Sequence, residues 1–219
     1  MLDTSVRTVG VLDKAVTILA ALEERPLVLA GLVEATGIPR PTAHRLATAL
    51  EAHGLVRRDA EGRFALGLRL VGLGRAAAGE LGVVEAARPA LERLRDETGE
   101  SVQLYVRDGD RRVCAYALES PHGLRTIVAL GASLPLDRGS AGRVLLGDTE
   151  GRPWVESVGE REEGVASVSA PVHDEGGLVV AAVSVSGPVH RTTRAPGRRY
   201  GAAVAAAAGS VELALRRGA

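Results

Sequence analysis

From residue 9 to residue 23, apolar side chains recur at i, i+3 and i+4 spacing (Val9, Leu12, Val16, Leu19, Ala20), which predicts an amphipathic helix ended by Arg25-Pro26. A short apolar helix follows through Ala30, Leu32 and Val33, and Thr36-Gly37 stops it. A longer helix carries Ala43, Leu46, Ala47 and Leu50 on one face. Gly54-Leu55-Val56 then leads into a basic hairpin, Arg57-Arg58-Asp59-Ala60-Glu61-Gly62-Arg63-Phe64. Residues 68–81 and 84–98 read as two further helices broken around Gly82. Leu68, Leu70, Val71 and Leu73 are many apolar positions for a plain connector, and Pro89 is expected to kink the second of these helices.

After Gly99 the period changes from helical to alternating. Residues 101–107 and 112–118 read as strands joined by the turn Asp108-Gly109-Asp110, and residues 127–130 as a third strand. A short helix is expected at 139–146. Two more strands fall at 165–172 and 178–186, joined around Asp174-Glu175-Gly176-Gly177, and an alanine-rich helix closes the chain at 200–217. The polar stretches 148–164 and 190–199 read as loops, the first a mobile one. Antiparallel strands with segregated helices make the fold class α+β, and there is no internal repeat.

Helix, tight turn, helix and two-stranded wing is the winged helix-turn-helix plan. In that plan the second helix lies in the major groove and the hairpin touches an adjacent backbone or the minor groove. The candidate DNA contacts are therefore Arg40, Pro41, Thr42, His44 and Arg45 at the start of the second helix, with Arg57, Arg58 and Arg63 on the wing. Arginine suits guanine edges and phosphates alike, and Pro41 fits a first helical turn. Thr42 either bonds phosphate or caps the helix, and His44 either reads DNA or is a plain surface residue. Arg58 and Arg63 either reach phosphate or pair with Asp59 and Glu61, a solvated pairing of little value.

Charge sharpens this picture. The net charge is zero, yet residues 39–75 hold seven arginines against three acids, residues 76–187 carry a balance of −7, and residues 188–219 carry +5. A basic head before an acidic body is the footprint of one nucleic-acid face. Lys14 is the only lysine, so nearly all positive charge is arginine. With 46% apolar residues among 219, the chain can bury a substantial core, and no run approaches the roughly 18 apolar residues of a membrane span. The N-terminus has no signal-peptide shape, so the expectation is a soluble cytoplasmic protein without membrane partners. Cys114 is the single cysteine, and His44, His53, His122, His173 and His190 show no metal spacing, so no metal site and no cofactor are expected.

Several segments together resemble the IclR family of transcriptional regulators. They are Gly37-Ile-Pro-Arg-Pro-Thr-Ala-His-Arg-Leu, Leu50-Glu-Ala-His-Gly-Leu-Val-Arg-Arg and Arg63-Phe-Ala-Leu-Gly in the head. Behind it come Ala87-Arg-Pro-Ala-Leu-Glu-Arg-Leu-Arg-Asp-Glu-Thr-Gly-Glu, Leu134-Pro-Leu, Ser169-Ala-Pro-Val and Ser184-Val-Ser-Gly-Pro. The match runs over nearly the whole chain and is most similar to the short actinobacterial members, some of them linked to leucine and other amino-acid genes. The resemblance implies a winged head at 1–67, a linker helix at 68–83 and a GAF-like effector-binding domain at 84–219. It also implies a homodimer or homotetramer on palindromic double-stranded operators, acting as repressor or activator. The implied effector is a small metabolite, a carboxylate or an amino acid.

The residues of the second domain are compatible with a pocket. Ser167 and Ser169 share one face of their strand, and Ser184 and Ser186 one face of theirs, with valines opposite. Such a hydroxyl face either holds a carboxylate or is the wet side of a half-exposed strand. The family pattern places its effector contacts at Ser167, Ser184 and Ser186 and at Ser140-Ala141. The acidic pocket residue of many members aligns near Ser157, and a cysteine of many members stands where this chain has Ser167. The segment between Leu146 and Val165 is shorter than is usual in the family, which leaves open a DNA-binding regulator with a degenerate, ligand-free sensor domain. A thiol enzyme using Cys114 with His122 or His173 is the rival of another class. Cys114 lies in the alternating run Val113-Cys-Ala-Tyr-Ala, where a small buried role is expected instead, and Gly139-Ser-Ala-Gly-Arg lacks the nucleophile-elbow spacing. The chain is therefore expected not to be an enzyme.

Overall fold

The computed structural model describes residues 9–79 and 82–218. The chain forms two compact units that divide between Ala77 and Ala78.

In the first unit, α1 (Gly10–Glu24) buries Ile18 and Leu22. Helix α2 (Leu29–Thr36) ends on Gly37, whose φ of +67° is left-handed and whose N–H donates to the Val33 carbonyl at 2.9 Å. A residue with a Cβ is strained in that conformation, so Gly37 sets the sharp turn. Helix α3 (Arg40–Ala52) starts with Pro41 in its first turn and buries Ala43, Leu46, Ala47 and Leu50. Strands β1 (Val56–Arg58) and β2 (Phe64–Leu66) pair antiparallel in the register Arg58↔Phe64. Leu27 adds a bridge to the outer edge of the wing, exchanging two backbone hydrogen bonds with Phe64. Phe64, the only phenylalanine, is fully buried among Ile18, Leu32 and Val56 and ties the wing to the helices.

Helix α4 (Arg69–Gly79) follows the wing, and α5 (Gly82–Thr98) carries Pro89 within it. The second unit is built on one antiparallel six-stranded sheet. Its strands are β3 (Ser101–Asp108), β4 (Arg111–Leu118), β5 (Ser133–Pro135), β6 (Val155–Val158), β7 (Val165–His173) and β8 (Val179–Pro188), ordered β5-β4-β3-β8-β7-β6. Val168, Ala170 and Val172 of β7, with Val183 and Val185 of β8, face α5 and the closing helix α8 (Pro196–Gly218). The opposite face lies under α6 (Ser140–Leu145) and buries Tyr105, Cys114 and Ala182.

The structure corrects the sequence reading at several elements. Residues 127–130 form no strand. Val128 alone is buried there while Ile127 and Leu130 are exposed, and the edge of β4 is taken by Gly131 to Pro135 instead. The expected mobile loop at 148–164 contains β6, which pairs with β7. The expected loop at 190–199 holds α7 (Val189–Thr192) and the first turn of α8. The serine faces of β7 and β8 are not the wet side of a half-exposed sheet, because α6 covers them and Ser169 is fully buried.

Candidate functional site

Two surfaces carry the candidate residues, one in each unit. On α3, the apolar stripe is buried, and Arg40, Pro41, His44, Arg45 and Thr48 are exposed on the other side. The helix is capped by Pro39 with no side-chain bond, and its N–H groups find backbone oxygens instead, Thr42 N–H donating to the Pro39 carbonyl at 2.9 Å. Thr42, half-buried, is therefore not the cap. Among the described residues, no salt bridge engages Arg40 or Arg45. Thr48, one turn beyond His44 on the same exposed face, is a position that the reading of the N-terminal turn missed; its spacing of four from His44 is the signal.

The wing arginines divide. Arg57 is exposed and free of ion pairs among the described residues. Arg63 is held by both neighbouring acids, through Nε to Asp59 at 2.7 Å and Nη2 to Glu61 at 3.0 Å. Burial works against the Asp59 charge, but the hydrogen bonds from the Arg63 side chain and backbone outweigh it and hold that carboxyl below its usual range. Arg58 lies 3.6 Å over the Phe64 ring, donates to the Gly62 carbonyl at 2.8 Å and sits 3.6 Å from Glu51. Arg58 and Arg63 thus first serve the hairpin, and of the wing arginines Arg57 is the one without a local partner.

In the second unit, a cavity of about 20 Å³ opens between α6 and the hydroxyl face of the sheet. It is lined by all six residues expected there, Ser140, Ala141, Ser157, Ser167, Ser184 and Ser186. The register explains why: Ser167 pairs with Ser186 across β7 and β8, Ser169 with Ser184, and Ser157 of β6 with Ser167. Ser140, at the start of α6, drops onto this row. Its Oγ lies 2.7 Å from Ser167 Oγ and 2.7 Å from Ser169 Oγ, and Ser169 donates to Ser184 at 2.9 Å. Ser186 donates to Gln103 Oε1 at 3.1 Å.

The cavity also contains residues that the sequence reading missed: Tyr105 of β3, Arg112 of β4, and Arg161. Arg112 is only 3% exposed. Its Nη1 donates to the Arg138 carbonyl, its guanidinium lies 5.3 Å from the Tyr105 ring centre, and its Nε has no partner. Burial pushes the Arg112 pKa below its ordinary value, with the Tyr105 side chain opposing that shift. The available signal was parity: Arg112 shares the strand face of Cys114, for which a buried role is expected. The fit is close, since a Cβ on Gly142 of α6 would collide with Arg112 Nη1 and with the Leu136 carbonyl oxygen. Cys114 itself is fully buried, and burial pushes its thiol up to about 12. It contacts the Tyr116 carbonyl at 3.4 Å, and no hydrogen bond joins it to His122 or His173 among the described residues, so the arrangement the thiol reading needs is not present.

Residues 11–60 match the family model of the IclR helix-turn-helix domain. Residues 75–151 and 146–213 match that of the bacterial transcriptional regulator IclR C-terminal domain, in two segments that meet at the short stretch after Leu146. The glycerol operon regulatory protein of Streptomyces griseus is 30% identical over 224 residues, covering 84% of this chain and 87% of that protein. The HTH-type transcriptional regulator KipR of Bacillus subtilis is 35% identical over 125 residues, which span 57% of this chain and only 50% of that protein. The crystal structure of an IclR homolog from Microbacterium hydrocarbonoxydans, complexed with 4-hydroxybenzoate, superposes with a TM-score of 0.81 at 20% identity, over 94% of this chain and 99% of that one.

Proposed function

The chain belongs to the IclR family of DNA-binding bacterial transcriptional regulators, and from that premise we propose that it is an effector-responsive one, acting on its operator as a homodimer. The reading rests on one observation above the others. α3 presents Arg40, His44 and Arg45 to solvent on the face opposite a fully apolar core stripe, with no acid pairing either arginine among the described residues. A helix so arranged lays its first turns against base edges, while Arg57 on the wing reaches phosphate and positions the head. Arg58 and Arg63 stiffen the wing more than they touch DNA.

The dimer reading is supported by apolar side chains that the first unit leaves in water. Leu12 and Val16 of α1 are 61% and 62% exposed, and Leu68, Val71 and Leu73 at α4 are exposed as well. Apolar stripes of this kind mark interaction surfaces, and a second copy covering them sets two α3 helices against two half-sites. Two such dimers would form the homotetramer. The linker assignment at 68–83 belongs to the same reading, with α4 and α5 carrying the coupling between effector and heads. No helix among the described residues is long and apolar enough to cross a membrane, and the site of action is with the DNA, in the cytoplasm.

The effector reading is supported by the convergence of five serines and Arg112 on one cavity, and by the relative solved with 4-hydroxybenzoate. The regulon expectation, amino-acid genes, rests on resemblance alone, and the Streptomyces griseus relative is named for a glycerol operon. Binding of the purified chain to its own upstream DNA, with competitor DNA and with added metabolites, tests the reading. Specific binding that a metabolite shifts supports an effector-responsive regulator. Specific binding indifferent to metabolites leaves the ligand-free sensor. Absence of specific binding overturns the DNA interface assigned to α3.

A further inference from the structure

Helix α4 is fastened at its start and held by little beyond it. Gly67, between the wing and α4, is buried, and its N–H donates to the Leu55 carbonyl at 2.8 Å. A Cβ there would collide with the Gly54 carbonyl oxygen, so only glycine lets the chain pass this close to the end of α3. Arg69, the first residue of α4, adds a side-chain bond. Its Nη1 donates at 3.1 Å to the carbonyl of His53, the residue that follows α3. The first turn of α4 and the last turn of α3 thus form one piece.

The rest of α4 is a weak helix. From Arg69 to Ala77 no side chain is buried, and Leu70 alone is half-buried. The helix has 11 residues and no acid, so no ion pair between its own side chains holds it. Leu68, just before it, has no side-chain oxygen to cap it. Gly72 and Gly74 interrupt it, and neither is there for lack of room: a Cβ at either meets nothing within 4 Å beyond the helix's own backbone. Two residues apart, they lie about 200° apart round the axis, so no single neighbour explains both. Each weakens the helix about fivefold relative to alanine. An isolated helix shorter than about 12–15 residues is marginal in water even when rich in alanine. Alone, α4 does not hold its turns.

What α4 does carry is a seam. Leu70, Leu73 and Ala77 fall at i, i+3 and i+7 on one side, and Gly72 lies off it. Leu12 and Val16 of α1 leave a second apolar stripe in the same unit. A second copy of this chain fits the seam, because seam against seam is apolar on both sides and asks for no charge from a helix that has only Arg69 and Arg75 to offer.

We propose that α4 is a conditional helix. Its turns beyond Arg69 close when a second copy covers the seam of Leu70, Leu73 and Ala77, and open when the copies part. Because its first turn is joined to α3, the same folding step gives the recognition helix a fixed direction, and association of two copies switches on the reading of paired half-sites. This rests on the reading that the chain acts as a homodimer through this unit.

The test is hydrogen exchange of the full chain below and above its dimer dissociation constant, with sedimentation velocity setting the two concentrations. Where the dimer is too tight to dilute, the Leu12→Glu chain supplies the monomer. Amides of residues 72–77 are expected to exchange at close to unprotected rates in the monomer and to be protected in the dimer, with the Gly67 amide protected in both. Gly72→Ala, off the seam, should tighten the dimer by about 5- to 25-fold, since one glycine leaves each of two chains. Protection of residues 72–77 in the monomer, or a Gly72→Ala dimer of unchanged or weaker affinity, would overturn the proposal. Rapid exchange of these residues in a chain that sediments as a dimer would overturn it too, and the dimer reading would stand. A chain that stays monomeric at every concentration would end the dimer reading and the proposal with it.

Discussion

The division among the wing arginines makes a quantitative difference that DNA binding can read. Arg57 has no ion-pair partner among the described residues, whereas Arg63 is clamped by Asp59 and Glu61 at 2.7 and 3.0 Å. Neutralising one phosphate releases condensed counterions, so each lost contact lowers the salt slope of log K by about 0.9. Arg57→Gln should therefore lower the slope by about 0.9 for each wing engaged, or about 1.8 for a dimer. Between 50 and 200 mM salt that corresponds to about a 3.5-fold difference per wing in how much affinity is lost. The comparison is the double change Asp59→Asn with Arg63→Gln, which removes the ion pair without altering net charge. The amide that replaces the Asp59 carboxylate keeps an oxygen to accept the N–H groups of Glu61 and Arg63, which Asp59 Oδ1 accepts at 3.1 and 2.8 Å, so the turn survives. The double variant should leave the slope unchanged. Fluorescence anisotropy with labelled duplex at four salt concentrations measures both. A slope lowered as much by the double change as by Arg57→Gln would mean that Arg63 abandons its carboxylates for phosphate, and the structural assignment of the wing would be wrong.

Other positions carry separate expectations. Arg45→Ala should weaken binding to the operator by about 1–3 kcal/mol with little change on random duplex, as competition titrations would show; equal loss on both would make Arg45 a phosphate contact. Leu12→Glu should shift the chain toward monomer in sedimentation velocity, because it places a charge in the exposed stripe of α1 assigned to a second copy, and unchanged mass would exclude that stripe from the interface. Cys114 should resist alkylation at pH 8 in the folded chain and react quickly in denaturant, since burial holds its thiol near 12; rapid labelling of the folded protein would contradict the packing.

The head was legible because its signals are local and agree with each other. The 3.6-residue stripe through Ala43, Leu46, Ala47 and Leu50, the left-handed Gly37 and the first-turn Pro41 all specify one arrangement. Ser/Val alternation likewise placed Ser167, Ser169, Ser184 and Ser186 on one sheet face. What alternation does not carry is the layer above it: the same pattern serves a wet face and a covered one, and α6 decides between them. Strand β6 was hidden because Val155-Glu156-Ser157-Val158 is a short edge strand among polar residues, with half of its alternation facing out. Residues 127–130 have strand composition but turn only Val128 inward, so composition misled where register decides. Arg112 was missed for a related reason. Beside Arg111, after an Asp-Gly-Asp turn, it looks like a hairpin surface charge, yet its guanidinium is buried beside Tyr105 and the Arg138 carbonyl, where Gly142 of α6 leaves it room.

The DNA interface assigned to α3 should tell one DNA sequence from another. The direct measurement is the ratio of dissociation constants of the full chain for its own upstream DNA and for a shuffled duplex of equal length, at one stated physiological salt concentration. A ratio of about 10³ or more is expected, the range of specific regulators. A ratio near one, with both affinities falling equally as salt rises, would show a basic surface that binds phosphate without reading bases, and would contradict it.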